Sequence, residues 1–197
     1  MGGMSAVLLG VVLLAVFWAV GAYNRLVRLK NAIGNAFGQI DVQLKRRYDL
    51  IPNLVEVARK YLAHESETLE AVIAARNQAQ MAEKSAAASP LSIGAIGALT
   101  GAEQVLGGAL GRLFALAEAY PDLKADQTMR ELSEEIASTE NRVGFARQAY
   151  NDHVLAFNDA AAQFPTLLIA RLFGFQVQSM LSSTASEQER QPVKVTF

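Results

Sequence analysis

The chain has 197 residues, enough for one domain with a core of its own and too few for two generous ones. Its 18 Lys and Arg balance 19 Asp and Glu, so no net field draws it onto nucleic acid, and no nucleic-acid partner is expected. The absence of cysteine removes disulfides, thiolate metal sites and cysteine nucleophiles together, and leaves metal or acid–base chemistry to two histidines and the carboxylates.

Residues 4 to 23, MSAVLLGVVLLAVFWAVGAY, carry no charge, and at about 1.5 Å per residue they cover the roughly 30 Å hydrocarbon core of a bilayer. Residues 1–23 are therefore read as a transmembrane anchor. The rival reading is a cleaved signal peptide with Ala19-Val20-Gly21 as its small-residue site. It lacks a basic segment before an apolar run that is longer than such peptides use. Trp18 and Tyr23 lie where amphipathic rings favour the membrane interface. Arg25, Arg28 and Lys30 follow at once, with no Lys or Arg before the span. The positive-inside bias then puts the N-terminus outside and the C-terminal body in the cytoplasm.

Residues 24–181 read as a helical bundle. Leu26, Ile33, Phe37, Ile40, Leu44 and Ile51 follow the three-four alternation of a bundle or coiled-coil seam, and nothing separates this helix from the span. Pro52 lacks an N–H and crowds the carbonyl of Tyr48, which predicts a kink or corner there, with Asp49 as N-cap of a new helix running from about Leu50 to Lys84. Leu54, Val57, Ala58, Tyr61, Leu69, Val72 and Ile73 would form its inner face.

Residues 85–109 are rich in Gly, Ala and aliphatics, with Glu103 as the single charge, and read as an apolar connection that must touch something. Ile93, Ile96, Leu99, Val105 and Leu106 are its candidate contacts to a second copy or a partner. No Gly-Lys-Ser/Thr follows its glycines, so a phosphate loop is rejected. A short helix, LGRLFALAEAY, precedes Pro121. Thr128 with Glu131, or Asp126 in competition, opens a last long helix whose seam runs from Met129 through Leu132, Ile136, Thr139, Val143, Ala146, Tyr150, Val154 or His153, Phe157 and Ala161 to Phe164. TLLIARLFGF adds another apolar turn or two. Residues 182–197 read as a polar tail ending in the β-like VKVTF, whose terminal Phe197 is a further candidate contact.

Two polar interruptions stand in two apolar seams: Asp41, Arg46, Arg47 and Asp49 on one side, Thr139, Glu140 and Arg142 on the other. Their meeting would make a polar network that fixes helix register, as polar seam residues do in coiled coils. The rival is a metal held by Asp41, Asp49 and Glu140, but the Glu-x-x-His pattern of bundle metal sites is missing. His64, in HESET, has no second histidine at i+4, and His153 sits beside the seam; both read as packing or surface residues. No serine lies in Gly-x-Ser-x-Gly. No catalytic residue and no cofactor is expected.

The blocks AYNRLVRLKNAI, IDVQLKRRYDLIPNLVEVARKYLAHESETLEAV, LAEAYPDLKA, STENRVGFARQAYNDHV, FPTLLIARLFGF and PVKVTF, in this order, resemble the LemA family of bacterial membrane-associated proteins. The resemblance implies a membrane-proximal helical bundle without an established enzymatic activity. Some members carry a lipid-attachment cysteine just before the Tyr-Asn pair, where this chain has Gly21 and Ala22. The expectation is an all-α protein of the bacterial cytoplasmic membrane: one N-terminal transmembrane helix continuing into an antiparallel bundle of long helices. Its expected role is a non-enzymatic scaffold that forms a homo-oligomer. The alternatives are an adaptor or regulator of a membrane protease or other membrane-protein partner and, behind it, a carboxylate-based metalloenzyme.

Overall fold

In the computed structural model, which describes residues 2–181, one helix carries the chain from the apolar N-terminus through the whole body: α1, Gly2–Arg59, about 87 Å long. Along residues 4–20 its large apolar side chains are bare, as at Leu8 (66 % exposed) and Phe17 (75 %). From Leu26 onward the same helix buries Ile33, Phe37, Ile40, Leu44 and Ile51, the seam read from the sequence.

Pro52 does not end α1, contrary to the corner expected there, and Asp49 is an exposed mid-helix residue rather than a cap. The carbonyl of Tyr48, which loses its helical N–H donor to the proline ring, accepts instead from Arg76 Nε of α2 at 3.0 Å. The missing bond is replaced by an interhelical one, and the helix runs on to a turn at 60–65. α2 therefore spans Ser66–Ala88.

The Gly/Ala-rich stretch is the second departure. Only residues 89–92 form a connection. Ser92 accepts from Ala95 N and caps α3, Ile93–Glu118, which absorbs the short helix expected before Pro121. Each interior glycine disfavours the helix by about 1 kcal/mol. Burial of Ile96, Leu99, Leu106, Leu110 and Leu113 at roughly 1.5–3 kcal/mol apiece outweighs them. α1 and α3 are both long and apolar enough to cross a membrane. α3, however, lays its aliphatic face on α2 and carries a buried glutamate, as a core helix does.

Pro121 starts the single-turn helix α4, Pro121–Ala125. Asp126 then caps α5, Gln127–Ala162, by accepting from Met129 N at 2.9 Å, and also accepts from Tyr61 Oη at 2.9 Å; Glu131 pairs with Gln127 instead of closing a capping box. α5 runs antiparallel to α1 and buries Met129, Ile136, Val143, Tyr150, Val154 and Phe157 against it. Phe164 is 80 % exposed, so the expected seam ends at Ala161. α6, Thr166–Leu172, packs on both α1 and α5.

The chain then turns back along α5 as an extended strap. Asn158 donates to Gln178 O and accepts from Gln178 N at 3.0 and 2.8 Å. Asn151, two turns away, does the same to Leu181 at 2.8 and 2.9 Å. The described residues thus make an all-α fold, with no strand among them. VKVTF and Phe197 lie outside the described residues.

Candidate functional site

The two polar interruptions do meet. Arg47 is 1 % exposed on the seam of α1, pairs with Glu140 of α5 and places Nη2 2.9 Å from Glu103 Oε2 of α3. Glu103 is the hub. Its Oε1 accepts from Tyr48 Oη at 2.6 Å and its Oε2 also takes Arg147 Nη2 at 3.4 Å. Two guanidinium groups thus meet two carboxylates, the balance that burying such charges requires. Burial, then the negative charge of Glu103 and the hydrogen bond to it, push the Tyr48 hydroxyl far above its ordinary range, so it acts only as a donor.

This cluster closes one side of a groove of about 500 Å³ between α3 and α5. Gly107, Gly108 and Gly111 leave it open: a Cβ added at any of them would meet nothing within 4 Å. Arg47 Nε is buried beside it without a partner.

A second cluster lies on the α2 side. Asp41 takes Lys45 Nζ at 2.6 Å, and Lys45 lies 3.7 Å from Glu83 of α2, which is fully buried. Asp41 Oδ1 and both Glu83 oxygens are buried without a donor, a gap that a proton held on Glu83 fills. Burial, the hydrogen bond with Asp41 and the Asp41 charge push the Glu83 carboxyl up to about 7 against Lys45 and Lys84. Asp41 is also disfavoured as an anion by burial, but hydrogen bonds with Glu83 and Lys45 outweigh that and lower it.

The remaining candidates fall outside these clusters. Arg46 is exposed and pairs with Glu135, its Nε 3.1 Å from Oε1. Asp49 and Arg142 are exposed and belong to neither network, and the buried Thr139 spends its hydroxyl on Ile136 O of its own helix at 2.8 Å. Asp41, Asp49 and Glu140 do not converge on a cation position. Among the described residues no three His, Asp or Glu could share a metal. His64 and His153 are both exposed. Of the expected contact residues, Ile96, Leu99 and Leu106 are committed to the chain's own core, while Ile93 and Val105 are exposed at 57 % and 53 %. Trp18, Tyr23, Arg25, Arg28 and Lys30 are exposed around the end of the apolar span.

Sequence reasoning missed Glu103, Arg147, Tyr48 and Glu83. Glu103 had a signal, as the lone charge of an apolar stretch: a carboxylate there is buried, and a buried carboxylate calls for a cation. Chemically, the first cluster is a set of occupied ion pairs with no free base beside a nucleophile.

The chain is 27 % identical over 169 residues to the magnetosome protein MamQ of Magnetospirillum gryphiswaldense, covering 78 % of this chain and 62 % of that one. MamQ 2 of Paramagnetospirillum magneticum matches equally, so the chain spans less than two thirds of the length of these relatives. A protein named LemA from Metamycoplasma hominis is 29 % identical over 174 residues, covering 88 % of this chain and 74 % of its own. The LemA family model matches residues 36–197, the body with both of its polar interruptions, and the chain belongs to the LemA family.

Proposed function

We propose that the protein is a non-enzymatic, membrane-anchored scaffold that self-associates through its helical bundle. The observation that carries this reading is the unbroken α1, in which one helix is both the apolar span and the spine of the body. A loose tether would suit an enzyme reaching for substrates; a rigid one suits a part held at fixed height and orientation. The relatives are named for the magnetosome and for the family rather than for a reaction, which favours the same side.

For self-association the supporting surface is the small-residue face of α3, part of which also lines the groove toward α5. Gly97, Gly101, Gln104, Gly108 and Gly111 are exposed at three-four spacing with Val105 beside them, a face on which a second helix can approach closely. Arg25, Arg28 and Lys30 after the span favour a bacterial cytoplasmic membrane location with the body on the cytoplasmic side. The groove between α3 and α5 favours a second reading, in which the body serves as an adaptor or regulator that receives a segment of a membrane protease or other membrane enzyme.

The deciding experiment is the mass of the full-length protein in detergent by size exclusion with light scattering, with elemental analysis of the same peak. A discrete metal-free multimer that dissociates on Gly101→Leu with Gly108→Leu is the expected result. A monomer would overturn self-association and send the work to crosslinking for a foreign partner. Stoichiometric metal would overturn the non-enzymatic reading.

A further inference from the structure

The end of the body nearest the apolar span is not finished as a water-facing surface. Ala19 and Ala22, both inside the uncharged stretch of α1, pack against the core of the bundle, so the body reaches down onto the span itself. The elements at that level are α6 and the turn after it. Phe173 and Phe175 hold the Tyr23 ring at centroid distances of 4.8 and 5.8 Å, and Phe175 continues to Phe157 at 6.2 Å. α6 turns Thr166, Ile169 and Ala170 inward. Its other face is bare: Leu168 is 56 % exposed, Leu172 76 % and Phe173 57 %. Leu168 and Leu172 are one helical turn apart on that face.

We propose that α6 and the turn after it form a foot bedded in the lipid–water interface beside the α1 span, with Leu168, Leu172 and Phe173 in lipid and Arg171 among anionic headgroups. The inference rests on the reading of residues 4–23 as a membrane span. Two observations select lipid as the occupant. The first is continuity, since the bare face lies level with Tyr23, at the end of the span where interfacial aromatic rings settle. The second is charge. Exposed Arg171, Arg25, Arg28 and Lys30 surround this end, and across residues 1–40 and 157–181 the one acid is Asp159, exposed near the end of α5. Basic residues flanking an apolar face are what an anionic bilayer surface attracts, and the stem of an arginine reaches from the acyl boundary to the headgroups. A short helix on one side of the span would fix the rotation of the body about α1, which a single span leaves free.

The chain has no cysteine, so single ones can be spin-labelled in the full-length protein: V12C in the span, V42C on the exposed side of the body, and L168C and L172C on the foot. In liposomes of equal phosphatidylcholine and phosphatidylglycerol, positions 168 and 172 are expected to follow position 12. All three should be open to oxygen and several-fold less open than position 42 to a water-soluble nickel chelate. Protection at 172 should weaken in phosphatidylcholine alone; unchanged protection would overturn the role given to Arg171. Nickel access at 168 and 172 equal to that at 42, with 12 still in lipid, would overturn the foot and leave the anchor standing. Labels immobilised and shielded from both reagents would mean that protein covers this face, and would also overturn it. Position 12 in water would overturn anchor and foot together.

Discussion

Two charge clusters hang on α1 within two turns of each other and solve the burial of carboxylates in opposite ways. Around Arg47 the charges balance, and direct ion pairs and the Tyr48 hydroxyl satisfy Glu103. Around Asp41 they do not. Two carboxyls share one paired cation, Lys45, whose side chain is 52 % exposed, and burial raises Glu83 to about 7 against the pull of Lys45 and Lys84. Where a cation is at hand, a buried acid keeps its charge; where none is spare, it keeps its proton. The first cluster should be intolerant of truncation, and the second should respond to pH.

The sharpest break is Arg47→Ala, which leaves the buried Glu103 with only Tyr48 and the longer Arg147 contact and is expected to lower stability by about 3 kcal/mol in urea or thermal unfolding. Arg47→Met combined with Glu103→Gln should recover most of that loss; a double variant as unstable as the single one would show that packing, not charge, was removed. Next comes pH. Glu83 holds its proton more tightly folded than unfolded, so its contribution is full below about 4.5 and is lost as pH rises through about 7. Asp41 is shifted downward, so its contribution is present above its unfolded value and is lost on strong acidification. Stability should therefore peak in mild acid, and Glu83→Gln should flatten the fall toward pH 8. A thermal midpoint that rises steadily from pH 5 to pH 8 would contradict a retained proton.

Smaller effects sharpen the same contrast. Lys45→Met removes the cation from the deficient cluster. It should cost about 1 kcal/mol, because Lys45 itself is half exposed although its partners are buried, while extending the range over which Glu83 stays protonated to higher pH. Smallest is Arg46→Ala. One residue from Arg47 but on the wet side, it should change stability by about 0.5 kcal/mol or less, an effect that vanishes in high salt.

The α1 seam was legible because its apolar spacing is regular, and the meeting of Arg47 with Glu140 because both interrupt such seams. Asp49 and Arg142 were wrongly drawn in. Each lies two residues from a true member, and on a helix that spacing points to another face. Pro52 announced its missing N–H in the sequence, but the donor that repairs the gap is Arg76, on another helix and visible only once α2 is folded back. α3 was hidden by its glycines, which local propensity counts against a helix and which burial of the opposite face overrides. The Tyr-Asn pair at 150–151 gave no clue to its use: Asn151 and Asn158 serve a strap with no periodicity of its own, paired through backbone groups that any sequence supplies.

An unbroken α1 also behaves as a lever. From Asn24 to Arg59 it rises about 54 Å, so a tilt of about 10° in the segment below Tyr23 sweeps the far end of the body sideways by about 9 Å. Apolar helices answer a change of bilayer thickness by tilting. With residues 4–23 in a bilayer, as proposed, and the Pro52 gap bridged, α1 would convert thinning or thickening of the lipid around its base into lateral displacement at its top.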